Sequence, residues 1–127
     1  MSQKKAIQTG AAPEAIGPYS QAVLVGNILF VSGQLGIDPA TGKLVDGGVQ
    51  EQTRQALKNV QAIVEAATMT MKNVTQVQVF LANIADFAQV NEVYKTFFEP
   101  PYPARAAVQA AGLPKEARVE ILAIAVK

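Results

Sequence analysis

The segment Val119–Val126, near the end of the chain, constrains the fold most, because it is apolar on both sides of an extended strand. Successive side chains of a strand point to opposite faces of a sheet. One face of this segment carries only apolar residues, namely Val119, Ile121, Ala123 and Ala125. The other face carries Glu120, Leu122, Ile124 and Val126. Such a strand requires apolar surroundings on both faces, and it places one carboxylate among them.

Hydrophobic periodicity predicts six strands and two helices. Alternating or continuous apolar runs predict strands at residues 5–8, 21–25, 28–34, 74–82, 104–111 and 118–126. Apolar residues at helical spacing predict helices at 49–67 and 86–98. The order is β-β-β-α-β-α-β-β. Two helices can cover only one face of such a sheet, so we expect a single two-layer α+β domain over residues 1–127.

The second face of the last strand has no helix left to cover it. A contiguous exposed apolar surface marks an interface, so we expect a homo-oligomer that packs its open sheet faces together. The alternative is an apolar strand at the centre of a monomer.

Composition excludes several kinds of chemistry. The chain has no Cys and no His, which removes disulfides, cysteine nucleophiles, Ser-His-Asp triads and the usual zinc ligand sets. The formal net charge is +1, and aromatic residues make up 6% of the sequence, so neither nucleic acid nor an anionic membrane is expected as a partner. No run is long enough to span a membrane. The first six residues lack the apolar core of a signal peptide, so the expected location is cytoplasmic; the two early lysines are also compatible with a mitochondrial address.

Arg105 and Glu120 stand in two of the apolar segments, where an unpaired charge is unfavourable. If the segments form a hairpin that turns near Leu113 and Pro114, Glu120 lies opposite Ala107 or Val108, with Arg105 on the diagonal. One interpretation is a structural ion pair. The other gives Arg105 the carboxylate of an anionic substrate, and gives Glu120, with a raised pKa, proton transfer on a bound water.

Three further polar residues lie at conspicuous positions. Tyr19 follows Gly17 and Pro18, Ser32 precedes a glycine, and Asn91 interrupts the second predicted helix. Taken singly, each residue type is also common in turns, as a satisfied core hydroxyl or as a solvated amide.

Several motifs occur in a characteristic order: Ala15-Ile16-Gly17-Pro18-Tyr19-Ser20-Gln21-Ala22, Val31-Ser32-Gly33-Gln34, Asp86-Phe87-Ala88-Gln89-Val90-Asn91, Pro103-Ala104-Arg105 and Val119-Glu120-Ile121. On these motifs the chain resembles the reactive intermediate deaminase A family (RidA, also called YjgF) over residues 7–126. The resemblance implies a chorismate-mutase-like fold and a homotrimer with sites between subunits. It also implies hydrolysis of 2-imino acids, such as 2-iminobutanoate and 2-iminopropanoate, to 2-keto acids and ammonia without a cofactor or metal.

The same resemblance implies roles for individual residues. Arg105 would hold the substrate carboxylate, and Glu120 would activate water. Tyr19, Ser32 and Asn91 would line the site, and the backbone carbonyl of Ala107 would help to position the water or the imine nitrogen.

Two positions depart from the family pattern. Many members have Cys where this chain has Ala107, and many have Glu where it has Leu122. A mechanism that needs the thiol cannot operate here. Leu122 shares the face of Glu120 and would make its surroundings more apolar.

Two other functions remain as alternatives. Some family members are described as ribonucleases that inhibit translation, although the charge, the few aromatics and the lack of His speak against RNA cleavage. A non-catalytic module could use Arg105 to capture a keto acid or amino acid as a regulatory signal. The presence of Glu120 favours catalysis over binding alone.

Overall fold

Six strands form one mixed sheet in this computed structural model, which describes residues 3–127. The strands of this sheet are β1 Lys5–Ile7, β2 Ala22–Val25, β3 Ile28–Leu35, β6 Val74–Leu81, β7 Ala104–Gln109 and β8 Val119–Val126. Two short strands, β4 Ile37–Asp38 and β5 Lys43–Leu44, pair separately around a turn in which the Gly42 amide donates to the Asp38 carbonyl, and they were not expected. The order across the sheet is β1-β2-β3-β8-β6-β7, and β7 pairs with β6 in parallel.

Two helices pack on one face of the sheet, as predicted. The first, α1 Val49–Ala66, buries an apolar stripe that includes Leu57, Val60 and Ile63 in the same core as Leu29 and Ile121. The second, α2 Phe87–Tyr94, ends four residues before the predicted boundary. Its last turn tightens, since the Thr96 amide bonds to the Val93 carbonyl and the Phe97 amide to the Tyr94 carbonyl. The two-layer α+β architecture is thereby confirmed.

The last two strands do not form the predicted hairpin. Strand β6 lies between β7 and β8 and pairs with both. The segment from β6 through α2 to β7 is a β-α-β unit, and such a crossover sets its two strands parallel in the sheet. Strand β8 takes a central position between β3 and β6, where its apolar pattern is accommodated. The prediction of a β7–β8 hairpin was therefore wrong.

The two faces of β8 differ in exposure. The residues on the helix side, Val119, Ile121, Ala123 and Ala125, are at most 1% exposed. On the opposite face, which we call the open face, every second residue of β8 is partly exposed. Phe30 and Val108 are 45% and 47% exposed. The register places Phe30 beside Ile124, and Val108 across Phe80 from Glu120. No element within residues 3–127 covers this apolar surface.

Neither described helix is long and apolar enough to cross a membrane. Met1 and Ser2, which belong to the segment used for the expected location, lie outside the described residues.

Candidate functional site

Arg105 is held by one face of helix α2. It lies on the edge strand β7 in register with Val77, a core residue, so its side chain leaves the sheet on the helix side. The Arg105 Nη1 group donates a hydrogen bond of 2.7 Å to Asn91 Oδ1. The guanidinium carbon lies 4.6 Å from the ring centroid of Tyr94 and 5.1 Å from that of Phe87. An amide and two aromatic faces thus fix the cation in place.

The charge of Arg105 has no anionic partner among residues 3–127. Each salt bridge in this part of the chain uses another cation, and the most buried of them joins Arg118 Nη2 to Asp86 Oδ2 at 3.0 Å. Asn91 and the aromatic rings are neutral contacts, so the full positive charge remains available. A fixed guanidinium of this kind suits a carboxylate, which can accept two parallel hydrogen bonds from it.

Ala107 lies two residues after Arg105 on the same strand. Its side chain packs partly against the core, in register with Val79. Because β7 is an edge strand, the backbone groups on its outer side have no partner strand among the described residues. A carbonyl on that side could accept a hydrogen bond from a ligand.

Glu120 occupies the open face, against the backbone of β3. A Cβ atom added to Gly33 would lie 2.9 Å from Glu120 Oε2, so the glycine leaves the space that the carboxylate uses. The β3–β8 register shifts between Val31 and Gln34. Burial raises the pKa of Glu120 above the ordinary value of 4.5. A raised pKa makes the ionised carboxylate a stronger base toward a bound water than a free glutamate is.

Ser32 and Tyr19 lie near the part of β3 that contacts Glu120. Ser32 directly precedes Gly33, and its hydroxyl donates to the Ser20 carbonyl at 2.6 Å. The Ser32 amide donates to the Gln21 carbonyl at 2.9 Å. The hydroxyl proton is therefore used, whereas the oxygen can still accept. Tyr19 is 53% exposed in the loop after Gly17, whose φ of 122° favours glycine.

Arg105 and Glu120 belong to two separate half-sites in one chain. Glu120 is in register with Phe80, and Arg105 with Val77, three residues away along β6. An odd offset puts the two side chains on opposite faces of the sheet. Two strand spacings and three residues separate their Cα atoms by roughly 14 Å. The prediction that Arg105 and Glu120 of one chain are diagonal neighbours is therefore wrong. The interpretation of these two residues as a structural ion pair within the chain is wrong for the same reason.

The structure adds three residues that the sequence had not assigned to the site. Phe87 and Tyr94 had been placed in the apolar stripe of the second helix. Their spacing from Asn91 was the available signal, because positions 87, 91 and 94 share one helical face. Gly33 was named only within the motif Val31-Ser32-Gly33-Gln34, and its close approach to Glu120 depends on strand pairing.

Leu122 follows Glu120 on the open face and is in register with Gln78. It is partly exposed, as are Ile124 and Val126 beyond it. An apolar residue therefore lies next to Glu120 along the same face of β8.

Comparisons with known proteins agree on one family. Residues 9–127 match the sequence profile of the family described as Endoribonuclease L-PSP. A 2-iminobutanoate/2-iminopropanoate deaminase from Bos taurus is 56% identical over 98% of this chain and 90% of the bovine protein. The crystal structure of a candidate endoribonuclease from Thermotoga maritima has a TM-score of 0.96 at 50% identity, covering 98% of both chains. The structure of E. coli TdcF with bound serine has a TM-score of 0.92 at 47% identity, covering 97% of this chain and 98% of TdcF.

Proposed function

Since the chain belongs to the endoribonuclease L-PSP family, which includes the RidA and YjgF proteins that its motifs resemble, we propose that it is a 2-iminobutanoate/2-iminopropanoate deaminase. Its reaction is the hydrolysis of a 2-imino acid to a 2-keto acid and ammonia. Mammalian relatives that carry this name are 52–56% identical to it. The E. coli relative TdcF has been crystallised with serine, which also carries a carboxylate.

The observation that carries the proposal is the unneutralised guanidinium of Arg105. Asn91 and two aromatic rings hold it, and no carboxylate within residues 3–127 pairs with it. The carboxylate of a 2-imino acid can accept two hydrogen bonds from this group. Binding there fixes the position of the adjacent C2 carbon, which is the electrophilic centre of the protonated imine.

Glu120 is proposed to carry the proton transfers. As a water oxygen bonds to C2, the π electrons of the C=N bond move to nitrogen and the water gives a proton to Glu120. The carboxyl group then returns that proton to the nitrogen of the tetrahedral adduct. The C–N bond breaks and ammonia leaves, the hydroxyl group gives its proton to Glu120 as the C=O bond forms, and Glu120 passes this proton to the ammonia, so the products are the 2-keto acid and ammonium. No electron transfer occurs, so the reaction requires no cofactor.

The active site is proposed to lie between subunits of a homotrimer. A small 2-imino acid cannot contact both Arg105 and Glu120 of one chain, because they leave opposite faces of the sheet. A neighbouring copy can supply the missing half-site and cover the apolar open face. In this arrangement Glu120, Tyr19 and Ser32 of one subunit face Arg105, Asn91 and the Ala107 carbonyl of another.

A trapping assay tests the activity. A threonine dehydratase or an amino acid oxidase generates the imine, and semicarbazide captures the part that has not been hydrolysed. We expect the protein to lower semicarbazone formation and Arg105→Ala to lose this effect. Unchanged semicarbazone formation with the purified wild-type protein would contradict the proposed function.

Ribonuclease activity is a second candidate, because the family description and the Thermotoga structure carry that word. The chain has no His and a net charge of +1, so it lacks both a common acid–base residue and a strong electrostatic attraction to RNA. Incubation with single-stranded RNA distinguishes the two functions. Two results together would favour the ribonuclease. The wild-type protein would cleave RNA while Arg105→Ala and Glu120→Gln do not, and the wild-type protein would leave semicarbazone formation unchanged.

A further inference from the structure

The ring of Tyr94 lies against the Arg105 guanidinium, and its polar contacts do not explain why it is there. The residue is 6% exposed, and its hydroxyl has no hydrogen-bond partner within residues 3–127. A buried hydroxyl without a partner is unfavourable. What Tyr94 does contact are planar groups: the Arg105 Cζ atom lies 4.6 Å from its ring centroid, and the Phe98 ring 4.7 Å away.

We propose that Tyr94 is a positioning residue for Arg105, acting through its ring face rather than its hydroxyl, with Phe87 as a second support. The proposal rests on the proposed role of Arg105 in binding the substrate carboxylate. It adds that helix α2 determines how the guanidinium is presented, so that recognition depends on residues that do not touch the substrate.

The geometry of α2 explains how one helix can do this. Phe87, Asn91 and Tyr94 lie on one helical face, since positions four and three apart are neighbours on a helix surface. Asn91 fixes one end of the guanidinium through Nη1, and the two rings lie against its central carbon, with their centroids 4.6 and 5.1 Å from Cζ. A free arginine side chain loses considerable rotamer entropy when it binds a ligand. Here most of that ordering precedes binding.

The same contacts limit the direction from which an anion can approach. A guanidinium has five N–H donors, all in its plane, and Asn91 uses one of them. The aromatic rings occupy part of the space around the guanidinium and offer it no carboxylate or carbonyl acceptor. A planar carboxylate approaching along the free edge meets two parallel donors, so this arrangement favours carboxylates.

The state of the Tyr94 hydroxyl is consistent with a role for the ring. Burial raises the pKa of Tyr94, and the nearby positive charge of Arg105 opposes this shift without reversing it. The phenol therefore stays neutral at physiological pH, and Arg105 keeps its full charge for the substrate. The contact between the two residues is one of a cation with a neutral ring.

Three variants separate positioning from packing. Tyr94→Phe keeps the ring, Tyr94→Leu removes it, and Val90→Ala trims another buried residue of α2 that is 1% exposed. Steady-state kinetics with 2-iminobutanoate as substrate give KM and kcat for each variant. Calorimetry with the stable carboxylate 2-oxobutanoate gives Kd, and thermal unfolding is measured in parallel.

We expect Tyr94→Leu to raise both KM and Kd by about fivefold, with kcat within about threefold of wild type, as loss of a cation–π contact between a buried ring and an exposed guanidinium implies. Tyr94→Phe should stay within about twofold on both constants, because the phenyl ring preserves that contact. Val90→Ala should lower the unfolding temperature and leave KM and Kd unchanged. If Tyr94→Leu does not fold, Phe87→Leu replaces it in the experiment, because Phe87 is partly exposed and its substitution disturbs the core less. We then expect a severalfold rise in Kd.

The inference is overturned if the leucine variant that folds keeps wild-type KM and Kd. It is also overturned if Tyr94→Phe loses as much affinity as Tyr94→Leu, or if Val90→Ala raises Kd equally. Failure of the proposed function is a different result. In that case the wild-type protein does not hydrolyse the imine, and the comparison of affinities for 2-oxobutanoate still decides whether the ring positions Arg105.

Discussion

Arg105 and Glu120 leave opposite faces of the same sheet, with strand β6 between the strands that carry them. Arg105 is in register with the buried Val77 and contacts helix α2, whereas Glu120 is in register with Phe80 on the open face. A substrate whose carboxylate is attached to the reacting carbon can contact both groups only if they come from different copies of the chain. The proposed mechanism therefore makes catalysis depend on assembly.

Subunit mixing tests that link. Arg105→Ala and Glu120→Gln are each expected to be inactive alone, because every site of such a trimer lacks one group. Trimers formed by co-expressing the two variants regain some sites, in which Arg105 comes from one subunit and Glu120 from its neighbour. Random mixing at equal levels restores about a quarter of all sites, one half multiplied by one half, and about a third of the sites in those trimers that contain both variants. The activity of purified mixed trimers, selected through two different tags, measures this.

The control is a chain that carries both substitutions, mixed with wild type. If the mixture of Arg105→Ala with Glu120→Gln has more activity than the sum of the two variants measured alone, the result supports a shared site. No recovery in mixed trimers of confirmed composition would contradict it.

Replacement of Arg105 should affect substrate binding most. Loss of a charge-assisted contact corresponds to about 2–5 kcal/mol, so Arg105→Ala should lower kcat/KM by roughly 30-fold or more. Arg105→Lys restores the charge but not the planar pair of donors, and it should recover activity only partly. Steady-state kinetics of imine hydrolysis provide the measurement. Arg54→Ala, at an exposed salt bridge with Glu51, is the matched control and should change little; wild-type KM in Arg105→Ala would refute the assigned role.

Gly33→Ala should impair catalysis more than stability. The new methyl carbon would lie 2.9 Å from Glu120 Oε2 and 3.0 Å from its Cδ atom. A flexible carboxylate can move away at little cost in folding free energy, but a displacement of about 1 Å at a reacting group can lower the rate by up to about a hundredfold. We expect kcat to fall at least about tenfold with a nearly unchanged unfolding temperature. Gly112→Ala is the control, because nothing lies within 4 Å of its added carbon; equal activity in both variants would show that the contact has no role.

The pH dependence of the rate should report Glu120. Burial raises its pKa above 4.5, and the ionised form is needed to accept a proton from water. The value of kcat/KM should therefore fall as the pH drops through an apparent pKa above the ordinary glutamate value. A profile that stays flat down to pH values well below that of a free glutamate would exclude Glu120 as the base.

The stability of the folded protein should also depend on the protonation of Glu120, but Glu120 should favour folding less, not more, as the pH rises. A carboxyl group whose pKa is raised by folding favours the folded state when protonated, and this contribution is lost as the pH rises through the folded-state pKa. Glu120→Gln removes this dependence of stability on pH, because a glutamine side chain does not titrate. The stability of the variant relative to wild type should increase as the pH rises through this range, which chemical denaturation at a series of pH values can measure.

A charge on the open face should prevent assembly. Phe30 is 45% exposed in the single chain and lies beside Ile124. Phe30→Glu would bury a carboxylate against an apolar partner surface, so we expect light scattering to give the mass of a monomer at micromolar concentration. Ile84→Glu introduces the same charge at a residue that is 47% exposed outside the sheet. It should leave the wild-type mass unchanged, and a monomeric wild type would contradict the trimer itself.

The sequence was sufficient to predict both helices and the six strands of the main sheet, but not the arrangement of those strands. Local periodicity defined the strands and helices, and the two-sided apolar pattern of Val119–Val126 predicted a surface that the helices leave uncovered. Which strands are neighbours depends on contacts between residues far apart in the chain. A hairpin between the consecutive strands β7 and β8 was the simplest pairing. It is not formed, because β7 pairs in parallel with β6 instead.

The same limit applies to the candidate site. Arg105 and Asn91 were both named from the sequence, and the structure joins them by a hydrogen bond. Tyr94 looked like an ordinary core residue, because a buried aromatic on a helix rarely indicates more than packing. Its contact with a cation exists only when β7 lies beside α2. The space that Gly33 leaves for Glu120 likewise depends on the pairing of β3 with β8.

The unpaired charge of Arg105 also has a kinetic consequence. The carboxylate that Arg105 is proposed to bind is identical in the imine and in the keto acid that hydrolysis leaves behind, so this contact would be as favourable after the reaction as before it. Selection of the imine must therefore occur at C2, where the two molecules differ. Accumulated 2-keto acids and free amino acids should act as competitive inhibitors, and their concentration in the cell would determine what fraction of the enzyme is free to intercept a short-lived imine.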